Sequence, residues 1–345
     1  MNIIHKVKQS CLLFISISIV FAAFSCDDKN PADSNGNKVE ITWQQSGLDS
    51  LRITVLAANS TGSVFAAGCR DGIFRSTDHG ATWILLAPDF CLRSMAINSE
   101  GIIFAPQKPA FRTFLIRSID NGESWDSLDV APFVDIKPIA FNSAGDIFVG
   151  SQTSDESRGD IYVSRDNGDS WTQTSFPDSI GTDALAINNA GHIFAGTGFG
   201  VYRSTDNGET WTQLNQGFED LLGHPLVDAL AIHPLTDELF AALFSDGVYR
   251  LRNDEEGWIP TSLTASRIGT LVFNEKGDIF AGGRHAPPTV GGVFCSRDNG
   301  ENWRQINSGL TNTDVRALTI DSSGFLYAGS FFPTGVFRSV RSTIQ

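Results

Sequence analysis

One aligned position of an internal repeat reads Thr54, Arg93, Lys137, Asp183, Asp228, Gly269 and Arg316 around the molecule. Three of these side chains are cations and two are carboxylates, grouped in separate sectors. A surface that is basic beside acidic can hold an anionic or zwitterionic group, because guanidinium and ammonium groups form short, charge-assisted hydrogen bonds to oxyanions. The competing reading is a set of exposed charges that compensate one another and contribute little. Segments 106–114, 150–160, 282–292 and 329–335, with the connection 215–227, vary most between repeats. They bring Lys108, Phe111, Arg112, Phe114, Arg158, Phe218, His224, Arg284, His285, Phe331 and Phe332. Arginine and aromatic side chains are the usual anchors of binding surfaces. The candidate ligand-binding set is therefore Arg93, Lys137, Arg316, Arg284, His285, Phe331 and Phe332.

Catalytic chemistry finds less support. No G-x-S-x-G elbow occurs, and Gly196, Gly198 and Gly200 belong to a strand turn, not to a phosphate-binding loop before a helix. The six histidines, His5, His79, His192, His224, His233 and His285, lack metal-ligand spacing and read as solvent-exposed. No metal and no cofactor is expected. Acids are numerous, so a pair of carboxylates placed for glycoside hydrolysis stays an open alternative.

The elements that must position these residues follow from a period. Trp43, Trp83, Trp125, Trp171, Trp211, Trp258 and Trp303 recur every 40 to 47 residues, the length of a four-stranded propeller blade. Five of them close the pattern S-x-D-x-G-x-[ST/N]-W, at Ser76–Trp83, Ser118–Trp125, Ser164–Trp171, Ser204–Trp211 and Ser296–Trp303. The Asp (Asp78, Asp120, Asp166, Asp206, Asp298) accepts backbone N–H bonds to fix a turn, and the Gly two residues on supplies a positive φ. The Trp then opens a strand and buries its ring between neighbouring blades. Residues 184–187, 192–196, 201–204 and 211–214 read as four short strands, with alternating apolar residues and Gly/Asn punctuation. A second-strand column (Phe65, Phe104, Phe148, Phe194, Phe240, Phe280, Tyr327) and a third-strand column (Phe74, Ile116, Tyr162, Tyr202, Tyr249, Phe294, Phe337) each count seven blades. The expected fold is all-β: a seven-bladed propeller of four-stranded antiparallel blades. The last repeat runs out after three strands, and residues 41–48 match 303–310, so the N-terminal strand should complete blade 7 and close the ring.

The boxes resemble the Asp-box, or BNR repeat, of sialidases, sortilin-type ectodomains, xyloglucanase-type glycosidases and photosystem assembly-factor propellers. The fifth repeat departs from it, with Leu251, Asn253, Glu255 and Gly257 at the box positions although Trp258 is kept. The resemblance implies a propeller whose boxes lie away from the functional face. Sialidase activity would further imply three arginines on the substrate carboxylate, a Tyr–Glu pair, an acidic Asp and an early Arg-Ile-Pro motif. That motif is missing, and all four tyrosines, Tyr162, Tyr202, Tyr249 and Tyr327, occupy the repeat columns, where packing explains them.

The chain has 25 basic and 39 acidic residues among 345, for a net charge of −14. Nucleic acid is thus not an expected partner, since phosphate binding needs a basic face. Lys6 and Lys8 precede an apolar run over residues 11–24, too short to span a bilayer and suited to a secretory signal. Ala23-Phe24-Ser25-Cys26 resembles a bacterial lipobox, which implies cleavage before Cys26 and a lipid on its thiol; a plainly cleaved signal is the alternative. The expected organisation is a signal over 1–25, a lipidated Cys26 with a polar tether over 26–38, and a propeller over 39–345. That organisation implies an envelope protein anchored only by its lipid, or a secreted one. Cys69 and Cys91 sit in loops that open on the same face, so a disulfide is an expectation that the Cα separation must decide. Cys295 reads as a buried small hydrophobe.

These readings favour a monomeric, non-catalytic propeller that binds a protein or carbohydrate partner on the face opposite its boxes. A glycosidase of sialidase-like or xyloglucanase-like type is the rival, and an assembly factor for a membrane complex is a third reading.

Overall fold

A computed structural model describes residues 40–344 except 70, 109–113, 131–134, 153–158, 178–180, 219–220, 222–223, 253–256, 266, 286–290 and 333. The leader, Cys11, Cys26, the tether and the loop residues Phe111, Arg112 and Arg158 therefore lie outside the described residues. So do Asn253 and Glu255 of the fifth repeat.

Short amphipathic strands with tight turns cannot bury a face alone, and here they stack radially. Seven four-stranded antiparallel sheets form, six of them adding strands outward in chain order. Blade 4 is representative: Thr182–Ile187 is innermost, followed by Ile193–Thr197, Gly200–Ser204 and Thr212–Gln213. The seventh blade takes its outer strand from the other end of the chain. Trp43–Gln45 pairs antiparallel with Val336–Ser339, placing Trp43 opposite Ser339. The ring is closed by strand exchange between the ends of the fold, and blade 7 is left without an unpaired edge at the seam.

Between the blades lie the apolar cores. The seven second-strand aromatics are all buried, six of them at 0% exposure, which is why that column repeats so strictly. The tryptophans fill the seams: Trp83 packs on Ile53, Tyr327 and Val336 between blades 7 and 1, and Trp125 on Ala67, Ala105 and Ile116 between blades 1 and 2. Cys295 is buried among Trp43, Phe280 and Phe337.

Each intact box is a closed hydrogen-bond unit. In the first, Ser76 Oγ donates to Asp78 Oδ1 at 2.8 Å and accepts the Gly80 N–H at 2.8 Å. Asp78 in turn accepts the Thr82 N–H at 2.9 Å and its hydroxyl at 2.6 Å. Two consecutive left-handed residues make the turn, His79 at φ 56° and Gly80 at φ 78°. Asn121, Asn167, Asn207 and Asn299 take the first of these places in the other boxes, as expected of a side chain that tolerates that region. The hydroxyl and backbone donors hold Asp78, Asp120, Asp166 and Asp206 at a pKa of about 2.

Two features go beyond what the repeat pattern predicts. An arginine immediately before the first box position clips several blades to the next turn: Arg75 reaches Asn121 O and Glu123, and Arg117 reaches Asn167 O and Asp169. Arg250 does the same at Asn299 O and Glu301, and Arg338 donates to His79 O. His233, expected at the surface, is instead buried. It replaces the turn asparagine of other blades, its Nδ1 accepting the N–H groups of Leu235 and Thr236, and burial lowers its pKa.

Candidate functional site

The face opposite the boxes is built by the heads of the innermost strands, the second-to-third strand turns and the connections between blades. The aligned position lies at irregularities in those innermost strands. Register shifts occur between Ile136 and Ile139, Thr182 and Ala184, Val227 and Ala229, Ile268 and Thr270, and Val315 and Ala317. Lys137, Asp183, Asp228, Gly269 and Arg316 are the residues so displaced. A bulge bends its strand and re-aims a side chain, so the repeat itself directs one variable residue into the mouth from each of these blades.

A cavity of about 640 Å³ opens there, off-centre, over blades 6, 7, 1 and 2. Arg52, Arg93, Lys108, Arg284 and Arg316 line it, with Phe331 as its aromatic wall and Asp89 as the one carboxylate among the described lining residues. Two small residues make the space. Thr54 and Gly269 hold the blade 1 and blade 6 places on either side of Arg316. At Gly269 an added Cβ would stand 3.1 Å from Arg284 Nε and 3.2 Å from its Nη2. The guanidinium of Arg284 thus occupies the volume that a side chain at 269 would claim.

Ion pairs set how much of this charge is free. Arg316 is gripped by Asp314, Nε to Oδ1 at 2.6 Å and Nη2 to Oδ2 at 3.1 Å, and lies over the Phe331 ring at 4.7 Å. Arg52 also approaches that ring, at 5.4 Å. Asp135 is shared, by Lys108 Nζ at 2.5 Å and by Arg93 Nη2 at a looser 3.5 Å. Lys137 pairs with Asp183 at 2.9 Å. Arg284 Nε has no hydrogen-bond partner among the described residues. Asp228 Oδ2 likewise lacks one, and burial raises this carboxyl's pKa, offset by the Arg284 charge and reinforced by Asp183.

Of the candidates read from sequence, the structure brings Arg93, Arg284, Arg316 and Phe331 to one cavity. Phe332 stands beside Phe331 with centroids 6.2 Å apart and is 49% exposed. Lys137 lies at the sector boundary, tied to Asp183 and away from the cavity lining, and His285 is exposed without joining it. Arg52 and Asp89 escape sequence reasoning, because they precede or follow the repeat positions that alignment compares. Lys108 is visible there only as a loop cation.

Cys69 and Cys91 are joined by a disulfide with Cα atoms 3.9 Å apart, and both cysteines line the cavity. Among the described residues no group of three or more His, Cys, Asp or Glu is placed to hold a metal. No helix among them is long and apolar enough to cross a membrane.

The BNR/Asp-box repeat family matches residues 202–213, the stretch that contains the fourth box. No curated protein sequence matches the chain. Among solved structures, YCF48 bound to D1 peptide is similar at a TM-score of 0.63 and 16% identity, over 91% of this chain and 99% of that one. The GH74 xyloglucanase from Xanthomonas campestris superimposes at 0.63 and 13% identity, over 86% of this chain and 53% of that one. A virginiamycin B lyase from Staphylococcus aureus, with quinupristin, does so at 0.68 and 12%, over 87% and 99%. Identities this low speak to the fold alone, while the hydrogen-bonded boxes speak to the repeat; together they make this chain a β-propeller of the BNR/Asp-box type.

Proposed function

We propose that this protein is a binding propeller that takes an anionic group of a protein or glycan partner into the mouth cavity. One observation carries the reading: five cations meet at one concavity, with Asp89 as the single carboxylate among its described lining residues, on a chain whose net charge is −14. Asp135 and Asp314 pair with three of the five, which leaves Arg52 and Arg284 outside any ion pair among the described residues. A strongly acidic protein that gathers cations in one place has built an anion site against its own field. The cavity also has the size of a ligand pocket, and Phe331 and Phe332 give its rim exposed aromatic surface. YCF48, similar in fold, is described bound to D1 peptide, which makes a peptide segment one reasonable occupant.

Binding fits the lining better than hydrolysis does. Glycoside hydrolysis uses two carboxyl groups across the scissile bond, and Asp89 is the only carboxylate among the described lining residues. We further place the protein outside the cytoplasm, held by a lipid on Cys26 or secreted. The leader supports this, and so does the Cys69–Cys91 disulfide, a bond suited to an oxidising compartment.

The test is a screen of acidic peptides and acidic glycans against the protein and against an Arg52→Ala, Arg93→Ala, Arg284→Ala variant. These three arginines are chosen because, among the described residues, none holds a carboxylate closer than 3.5 Å. A ligand should be retained by the first and weakened about 100-fold in the second, as for loss of interface anchors. Equal affinity for both would remove the mouth as the binding site.

A further inference from the structure

We propose that the Cys69–Cys91 disulfide is a redox-sensitive staple that governs the mouth, so that a dithiol reductant loosens the anion site without opening the ring. The inference rests on the binding role proposed above and names a means of regulating that same site.

Blade 2 carries the argument. Its innermost strand is only Ala96–Ile97, whereas Thr182–Ile187, Val227–Ile232, Ile268–Phe273 and Val315–Ile320 each run six residues. The segment upstream, which carries Asp89 and Arg93, therefore lacks a continuous ladder. Two isolated bridges hold it, Cys69 opposite Cys91 and Leu92 opposite Gln107. Two further backbone bonds help: the Lys108 N–H donates to Cys91 O at 3.0 Å, and the Arg93 N–H to Pro106 O at 3.3 Å.

At the other end of the staple stands Arg52. Cys69 lies in the second-to-third strand turn of blade 1, and that turn is pressed against the Arg52 backbone. An added Cβ at Gly68 would fall 1.9 Å from Arg52 O, and Asp71 Oδ2 accepts the Arg52 N–H at 3.3 Å. The disulfide thus couples the segment bearing Arg52 to the segment bearing Arg93, and both cations line the cavity. Both cysteines lie outside the strands of the seven sheets.

Cys69 is exposed and Cys91 is half-buried, so the bond is open to attack from the mouth. A thiolate of the dithiol attacks Cys69 Sγ. The S–S bond breaks, and Cys91 leaves as a thiolate that takes a proton. The reductant's second thiol then displaces Cys69, which leaves as a thiol. The reductant ends as its own cyclic disulfide, having given two electrons to the protein; a small-molecule disulfide reverses the step by the same two exchanges, taking up the two electrons and leaving as two thiols. Cys295, buried at 1% exposure, serves as an internal control that the reductant should not expose.

Hydrogen exchange on the whole protein, with and without dithiothreitol, tests the staple, and a Cys69→Ser, Cys91→Ser variant repeats the reduced state. Exchange over residues 88–95 should rise about tenfold on reduction, as for local opening, while Val227–Ile232 keeps its protection and Cys295 resists alkylation. Inorganic phosphate, titrated calorimetrically, should bind the oxidised form several-fold more tightly than the reduced one. Unchanged exchange at 88–95, exchange rising in every blade together, or equal phosphate affinity in both redox states would each overturn the staple. If phosphate binds neither form, the anion-binding reading fails, and the exchange result still decides whether the bond holds the segment.

Discussion

The two faces of this propeller are built by opposite rules. On the box face each of the five intact boxes satisfies its own carboxylate and hydroxyls within its own turn, and an arginine of the preceding blade clips several of the turns. Ser76, Asp78 and Thr82 close on one another, and Arg75 clips the next turn. On the opposite face the partners are unrepeated: Arg93 finds Asp135 and Lys137 finds Asp183 across blades, whereas Arg316 finds Asp314 two residues before it. There the carboxylate oxygen Asp228 Oδ2 finds no donor among the described residues. Buried donors without a partner among the described residues also occur on the box face, at Nε of Arg75 and Arg117 and at Nε1 of Trp211 and Trp303, so what sets the mouth apart is an unpartnered carboxylate oxygen. A fold selected only for stability would not leave a partly buried carboxyl unpaired.

The largest effect should come from removing what joins both faces. Deletion of residues 40–48 takes away the outer strand of blade 7 together with Ile41 and Trp43, which are 7% and 4% exposed. It also removes the bond from Trp43 Nε1 to Ile306 O. Losing a buried Trp alone costs about 3 to 5 kcal/mol, and a sheet edge opens besides. A circular-dichroism melt should show a large fall in Tm, with aggregation. An unchanged melt would mean that the ring does not depend on its closure.

Next comes a substitution at the mouth that tests stability, not binding. Asp314 is nearly enclosed, its side chain 4% exposed against 27% for Arg316. Arg316→Ala would leave that carboxylate without its bidentate partner, a loss of about 3 kcal/mol for a buried pair broken on one side. By repeat position alone, Arg93, Lys137 and Arg316 are interchangeable mouth cations. The structure separates them, because Arg316 and Lys137 are held by partners of their own and Arg93 only loosely. Denaturant melts of Arg316→Ala and Arg93→Ala should therefore diverge, the first destabilised and the second within about 0.5 kcal/mol of the parent, as for an ordinary surface change.

What is legible in the sequence follows from the same contrast. Box, Trp period, aromatic columns and strand exchange all depend on local sequence, and each can be read because a turn or a strand repeats its residue types. The arginine clip leaves a trace in Arg75, Arg117, Arg250 and Arg338, but an arginine in a strand reads first as a solvated side chain. The off-centre cavity leaves almost none. It arises because Thr54 and Gly269 are small, because bulges aim their neighbours, and because Asp135 reaches from the next blade to Lys108 and Arg93 while Asp314 holds its neighbour Arg316. None of these is a property of spacing. His233 misleads for a related reason: it stands in a turn, where exposure is the rule, yet takes over the buried acceptor role of an asparagine.

Acidification should separate the two faces by sign. The box carboxyls of Asp78, Asp120, Asp166 and Asp206 are held at about 2, below the ordinary 3.8. Their contribution to stability is fully present above pH 3.8 and is lost as the pH falls through about 2. Asp228 moves the other way. Its pKa is raised by burial, so the cost of its charge is present at neutral pH and is relieved as the pH falls toward 3.8. Asp228→Asn should stabilise the protein at about pH 7 and flatten its stability between neutrality and about pH 4, leaving the more acid limb unchanged. If the variant is less stable at neutrality, the mouth carboxyl is satisfied by a partner and the contrast between the faces weakens.

The smallest effect tests whether the box face is regular because regularity stabilises it. In blade 3 the clip position holds Val163, and the seam to blade 4 contains a cavity of about 50 Å³ lined by Val163, Asn207, Gly208 and Glu209. In the seam after blade 1 the equivalent groups, Asn121 O and Glu123, are where the Arg75 guanidinium lies. Val163→Arg should place a guanidinium against Asn207 O and Glu209 and raise stability by about 0.5 kcal/mol, the scale of a part-exposed charge-assisted contact set against the lost packing of a buried valine. A gain in the denaturation midpoint at constant m-value would show that the clip is a repeat-wide device which blade 3 lacks. A loss of about 1 kcal/mol or more, the scale of a disturbed core contact, would instead show that the valine belongs to the apolar seam with Phe148 and Phe176. The clip would then be an accommodation to each seam and not a rule of the ring.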